Sequence, residues 1–209
     1  MDFNYLSSRT NKLVNATLHG IEAHKLLSPA QRIHFNKFNI PNTAKQAGVL
    51  VLVYPNQNNK ACILLTKRAM YKGKHSQEIS FPGGKRNKED LNLKNTAIRE
   101  TFEEVGLPIK TINIQKELTS VYIPTSDFNV SAYLATTSYL PVFSLSHEVE
   151  TVISLDVEDL LNPKSLTSFI PKTSYIKQVA VPCFKIGNHY IWGATAMILN
   201  EVKEVLKKL

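Results

Sequence analysis

Glu100, Glu103 and Glu104 stand close together in a stretch, Lys94 to Val105, that contains neither glycine nor proline. At about 100° per residue, with Glu100 at zero, Glu103 lies near 300° and Glu104 near 40°, so a helix here carries all three on one face. Ile98, Phe102 and Val105 gather between about 140° and 200° on the same count, which predicts a helix seated on those three with its acidic face outward. Gly106 and Pro108 punctuate its end. Like charges at these spacings repel by a few tenths of a kcal/mol per pair, so the face invites a counter-charge. A divalent cation supplies one, and carboxylate oxygens suit Mg²⁺ or Mn²⁺, ions that bridge readily to phosphates. Taken alone, Glu-x-x-Glu-Glu is more often a solvated face. Its neighbours tip the balance. Phe81-Pro82-Gly83-Gly84 is a turn in which glycines allow close backbone approach, and Arg99 stands where it can lock carboxylates or reach a phosphate.

The elements that would position this face are mixed. Residues 6–28 show apolar residues near helical spacing up to Pro29, predicting an N-terminal helix. Gly48 to Tyr54 is a continuous apolar run, and with Ala61 to Thr66 it forms a predicted hairpin across Pro55 to Lys60. Further strands are expected at Glu117–Tyr122, Asn129–Thr136, Val149–Leu155, Tyr175–Phe184 and Tyr190–Trp192. A short helix is expected at Val157–Leu161 and an amphipathic one over 194–209. Nothing in 1–209 reads as a repeat or a low-complexity linker, and the expectation is one α/β domain. Cys62 and Cys183 match no metal or redox spacing and read as buried free thiols.

The formal net charge of +8 favours an anionic partner. Lys67, Arg68, Lys72, Lys74, Lys85, Arg86 and Lys88 bracket the glycines, against Glu78 alone in that stretch, which points to a phosphorylated metabolite rather than a nucleic acid. No run is long enough to span a membrane and the first residues lack the order of a secretory signal, so a cytoplasmic chain without membrane attachment is expected.

Gly84, Asp90, Arg99, Glu100, Glu103, Glu104, Gly106 and Leu107 resemble the Nudix signature, so residues 83–107 look like a Nudix box. Asp90 replaces the usual glutamate and the interval to Arg99 is one residue longer. Both features, with Phe81 to Lys85, resemble the coenzyme A pyrophosphatase branch. Leu64-Leu65-Thr66-Lys67-Arg68-Ala69, His75 and Ile79 to Gly84 are similar to that branch's coenzyme A recognition motif. This chain has Gly73 where the pattern has arginine and Gln77 where it has glycine; Lys72 or Lys74 is the substitute charge. Tyr122 to Phe128 and Ile191 to Ala196 also look like segments of the branch, while Pro124 is shared with ADP-ribose-cleaving members.

The resemblance implies an α/β/α sandwich around a mixed sheet, with the box as loop, helix and loop. It implies Mg²⁺ or Mn²⁺ held by Glu100, Glu104 and Glu103, with Arg99 in the catalytic set. Substrate contacts are expected from Lys67, Arg68, His75, Gly83, Gly84 and Lys85, with Arg68 and Lys67 first for phosphate. The other five histidines, Trp192 and Phe81 read as structural. The water-activating base is a box glutamate or one of Glu148 and Glu150, both of which also read as surface residues beside a strand. The implied reaction splits coenzyme A or its acyl derivatives into 3′,5′-ADP and 4′-phosphopantetheine. Alternatives are ADP-ribose, NAD-type dinucleotides or dinucleoside polyphosphates as substrate, or a non-catalytic nucleotide-binding module, which the three retained glutamates disfavour. A homodimer is compatible with the sequence.

Overall fold

The apolar run after Lys45 becomes the central strand β1 (Lys45–Pro55), buried on both faces. Alternate side chains explain this: Leu50, Leu52 and Tyr54 enter one core, Val51 and Val53 the other. The computed structural model describes residues 1–29, 40–71, 75–171 and 179–209. β1 turns back into β2 (Ala61–Arg68), with Val53 opposite Ile63. The turn is held by the Asn56 side chain, which accepts from the Asn58 and Lys60 amides at 2.9 Å each. Further on come β3 (Ile79–Ser80), β4 (Gly83–Lys85), β5 (Asn113–Glu117), β6 (Val121–Ile123), β7 (Phe128–Thr136) and β8 (Val149–Asp156). β7 runs parallel to β1 from the Lys45 and Phe128 pair to the Val53 and Thr136 pair, and carries β5 and β6 on its far edge. β8 lines the far edge of β2. Among the described residues this makes one mixed sheet of eight strands.

β1 and β2 pair only near their shared turn and then part. The chain from 79 to 85 fills the gap: β3 pairs with β2 through Ser80 and Thr66, and β4 pairs with β1 through Gly83 and Val49, Gly84 and Gly48, and Lys85 and Ala47. This wedge delivers the two glycines to the middle of the molecule.

Helices cover both faces, giving the expected α/β/α sandwich. The box helix lies against one core, made by Leu50, Leu52, Leu64, Ala97, Val105 and Tyr133. The opposite core takes the N-terminal helices α1 (Phe3–Ser7), α2 (Thr10–Asn15) and α3 (Gly20–Lys25) together with the C-terminal helix. In chain order the remaining helices are the box helix α4 (Leu93–Val105), α5 (Val157–Leu161) and α6 (Gly193–Leu206). A three-stranded sheet of β9 (Leu166–Phe169), β10 (Val181–Ile186) and β11 (His189–Trp192) leads into α6. Cys62 and Cys183 are buried free thiols. Among the described residues no helix is long and apolar enough to cross a membrane.

Several expectations change. The single helix over 6–28 is three short ones, because Arg9 leaves helical geometry at φ −117° and ψ 19°, Ala16 takes an extended backbone and Gly20 a φ of +50°. The break is used: the Gly20 amide donates at 3.0 Å to Glu201 of α6, whose buried carboxylate also accepts from the amide and hydroxyl of Thr119 at 3.0 and 2.7 Å. The strand expected at Glu117–Tyr122 is split between β5 and β6 around the buried Leu118. β3, β4 and β9, too short for a periodic signal, were not anticipated. β10 begins at Val181; of the strand expected at Tyr175–Phe184, residues up to 178 lie outside the described residues, as do Lys72, Gly73 and Lys74. α6 ends at Leu206.

The box helix faces differently from its apolar count. Phe102 is 49% exposed, whereas Ala97, Thr101, Val105 and Glu104 are buried. A glycine causes this. Gly48 of β1 has no side chain where the α4 backbone crosses, and a Cβ there would collide with the Leu93 carbonyl oxygen. The helix therefore seats on its Ala97 side, which turns Glu104 inward and leaves Glu103 about half exposed.

Gly48→Ala is expected to cost about 3 kcal/mol or more in urea-unfolding free energy, because a packed backbone must separate. Gly187→Ala, at a φ of +55° with open space around it, is expected to cost about 1 kcal/mol from left-handed strain alone. Conversely, Gln77 holds a φ of +61°, where the related motif has glycine, and Gln77→Gly is expected to raise stability by about 0.5–1 kcal/mol.

Candidate active site

The loop before α4 is organised by one ion pair. Arg99 donates Nε to Asp90 Oδ1 at 2.9 Å and Nη2 to Oδ2 at 2.8 Å. Asp90, 6% exposed, also accepts from the Asn87 amide and the Thr96 hydroxyl, each at 2.9 Å. These donors, the guanidinium foremost, hold the Asp90 carboxyl well below the usual carboxylate range. The remaining nitrogen, Nη1, reaches Glu100 Oε1 and Glu103 Oε2 at 2.8 Å each, and Nη2 also donates to the Lys85 carbonyl at 3.3 Å. The shorter side chain of Asp90 thus sits at the head of a fork that spaces the box carboxylates. Arg99 is a positioning residue.

The glycines bring backbone against those carboxylates. Gly83 has a φ of +151°, and a Cβ there would collide with the Gly48 carbonyl and with Val49. A Cβ on Gly84 would collide with the Glu100 carboxylate. The Gly83 amide donates to Glu104 Oε2 at 3.1 Å. Burial pushes the Glu104 carboxyl up to about 7 against that hydrogen bond and the attraction of Arg68, with Glu100 and Glu148 raising it further. Burial also raises Glu100, opposed by Arg99 and assisted by Glu103 and Glu148. Burial thus disfavours the charge on both carboxylates even with Arg99 and Arg68 beside them.

A cavity of about 830 Å³ opens from this point. Its floor follows from strand register: Gly83 and Lys85 of β4, Lys45, Ala47 and Val49 of β1, and Phe128 and Val130 of β7 share one face. Glu100, Glu104 and Glu148 line one part, with Arg68 among them. Arg68 Nη2 lies 4.0 Å from Glu148, its guanidinium stands 5.7 Å from the Tyr71 ring centre, and its buried Nε has no hydrogen-bond partner among the described residues. Trp192, Gly193 and Thr195, at the start of α6, and residues 123–126 close the other sides.

Of the residues singled out in the sequence, Arg68, His75, Gly83, Gly84, Lys85, Glu100 and Glu104 line this cavity. Lys67 does not: the strand turns it away, and it pairs with Glu150 at 2.6 Å, which also removes Glu150 from the site. Glu103 is half exposed and drawn onto Arg99. His75 Nδ1 lies 2.9 Å from Glu78 Oε2, within the cavity wall. Glu148 is delivered by the loop after β7, which is stitched to the box helix by Ser144 to Val105 and Ser146 to Glu104 backbone bonds, 2.9 Å each, and to β2 by the Ala69 amide on the Glu148 carbonyl at 2.8 Å. Sequence reading missed Lys45 and Phe128, and took Trp192 for packing alone; a lysine opening an apolar strand carries no local signal.

Among the described residues no three acidic, histidine or cysteine side chains already stand close enough to hold an ion. The donor set nevertheless fits one: Glu100, Glu104 and Glu148 offer only oxygens to the same cavity, and burial disfavours the charge on Glu100 and Glu104. The Asp90 and Arg99 pair underlies this arrangement, so Asp90→Asn is expected to cost about 3 kcal/mol at neutral pH. Because Asp90 titrates lower folded than unfolded, its contribution is complete above about pH 5 and is lost progressively as pH falls below about 4. Urea titrations should therefore show a shallower acid loss in the Asp90→Asn variant than in the parent; parallel curves would contradict the assignment.

The description NUDIX domain matches residues 44–174. Nudix hydrolase 3 of Caenorhabditis elegans is 29% identical over 163 residues, covering 69% of this chain and 66% of that protein. The human protein described as mitochondrial coenzyme A diphosphatase NUDT8 is 32% identical over 165 residues, covering 77% of this chain and 69% of its own. A Nudix hydrolase from M. smegmatis, RenU, superposes with a TM-score of 0.56 at 15% identity over 79% of this chain and 88% of its own, a likeness of fold. The match extends well beyond the box, to the sheet that carries the cavity floor, and the chain belongs to the Nudix hydrolase family.

Proposed function

We propose that this Nudix pyrophosphatase cleaves the diphosphate of coenzyme A or an acyl derivative, giving 3′,5′-ADP and (acyl-)4′-phosphopantetheine. The observation that carries the reading is the cavity's division of charge, with Glu100, Glu104 and Glu148 around Arg68 in one part and Lys45 and Lys85 in another. The likeness to the human mitochondrial coenzyme A diphosphatase supports it. The two free buried thiols are in keeping with a reducing compartment such as the cytoplasm.

Glu100 and Glu104, with Glu103 beside them, would hold Mg²⁺ or Mn²⁺ in this reading. The bound ion supplies charge neutralisation at the diphosphate oxygens and a more acidic water. Arg68 binds a phosphate oxygen and screens Glu148. Glu148 accepts the proton of the attacking water as its oxygen bonds to phosphorus, and the opposite P–O bond breaks to release the second phosphomonoester. Gly83 and Gly84 let the Gly48 backbone and the Glu100 carboxylate approach β4 closely at the cavity wall, and the Asp90 and Arg99 pair keeps the glutamates apart.

Mass spectrometry of coenzyme A incubated with the protein and Mg²⁺ or Mn²⁺ tests the reading, which expects 3′,5′-ADP and 4′-phosphopantetheine. No cleavage of coenzyme A, with AMP released instead from ADP-ribose or a dinucleotide, would overturn it. Chelation should abolish turnover, Glu104→Gln should lower kcat at least about a hundredfold, and Glu148→Gln should lower kcat while leaving KM within about threefold.

A further inference from the structure

Three cationic side chains of lysine or arginine line the cavity among the described residues, and they are not equivalent. Arg68 is committed to the acidic part: its guanidinium faces Glu148 at 4.0 Å and its charge is felt by Glu104. Lys67, the other expected phosphate contact, is turned out to Glu150. Lys45 and Lys85 line the cavity without a carboxylate partner among the described residues. Register places them together: Lys85 lies opposite Ala47, and Lys45 is two residues along on the same face of β1. Diagonal neighbours of this kind stand about 7–8 Å apart, near enough for two flexible side chains to converge on one anion.

Their position relative to the carboxylates sets what that anion is. Val49 pairs with Gly83, whose amide is bonded to Glu104. Lys45 is four residues from Val49, about 13 Å along the strand, with Lys85 about half that distance from Gly83. A diphosphate at the glutamates is therefore too far to use Lys45 well, while a second phosphate carried on the same nucleotide is within reach of both ammonium groups. Lys45 also stands 5.6 Å from the centre of the Phe128 ring, which lies beside it on β7 and offers an apolar face for a base or ribose.

We propose that Lys45 and Lys85 form a subsite for the 3′-phosphomonoester of an adenine nucleotide, with Phe128 beneath the nucleoside. The inference rests on the coenzyme A reading for the choice of the 3′ position, and its recognition chemistry can be measured without turnover. Calorimetric binding of 3′,5′-ADP, 2′,5′-ADP and AMP to the metal-free protein is the test. 3′,5′-ADP is expected to bind at least about tenfold more tightly than AMP, the worth of one charge-assisted contact of about 1.4 kcal/mol. Lys45→Ala and Lys85→Ala should each erase most of that preference while leaving the far-ultraviolet circular dichroism spectrum unchanged, and Lys45→Arg should retain it. Equal affinity for 3′,5′-ADP and AMP, or a preference that survives in both alanine variants, overturns the subsite. A preference for 2′,5′-ADP over 3′,5′-ADP overturns the 3′ assignment. If coenzyme A is not hydrolysed yet 3′,5′-ADP is preferred through both lysines, the substrate reading fails and the subsite stands.

Discussion

Everything at the centre of this molecule depends on the guanidinium of Arg99 being shared among Asp90, Glu100 and Glu103. Without it, several carboxylates would converge on two glycines with nothing to fix their spacing. Asp90 anchors the arginine from below with two nearly parallel hydrogen bonds and is itself satisfied by Asn87 and Thr96. The arrangement is therefore stable before any cation arrives, and it leaves Glu104, which has no part in the fork, pressed against the Gly83 amide with its charge disfavoured by burial. One carboxylate is thus spent on holding the arginine, and others are left for chemistry.

That fork can work only because the sheet is open where it sits. β1 and β2 separate, and the β3 to β4 segment enters the gap. Gly48, Gly83 and Gly84 are the three points at which backbone meets backbone or carboxylate too closely for a side chain. The same wedge sets the cavity floor, since Lys85 joins Lys45 and Ala47 on one face through the β4 and β1 register. Substrate floor and carboxylate scaffold are two sides of one short ribbon.

Glu148 shows how the rest of the chain is tied to this ribbon. The loop bearing it is bonded to the last turn of the box helix and to the end of β2, so it meets Arg68 and the box carboxylates from the far side. Its neighbour Glu150, two residues on, pairs instead with Lys67 away from the cavity. The two glutamates are indistinguishable by composition; Glu148 lies in the loop before β8, whereas Glu150 falls at the register irregularity of β8 against Lys67 and Arg68.

The sequence by itself determined the box, because Gly84, Asp90, Arg99 and the glutamates lie close along the chain and their spacing is dictated by one helix and one turn. It also determined the central hairpin and the strand after Pro124, whose apolar runs have no other stable home than a buried sheet, while the parallel pairing of that strand came from the fold. Three things only the tertiary structure decided. The seating of the box helix was one: its apolar count favoured Ile98 and Phe102, but the bare backbone at Gly48 admits the Ala97 side and leaves Phe102 half exposed. The N-terminal segment was another, broken at Gly20 to serve a buried carboxylate 181 residues away in sequence. The last was the choice of cations. Arg68, Lys45 and Lys85 face the cavity and Lys67 does not, a distinction that strand pairing and pleat create and that no local run of residue types encodes.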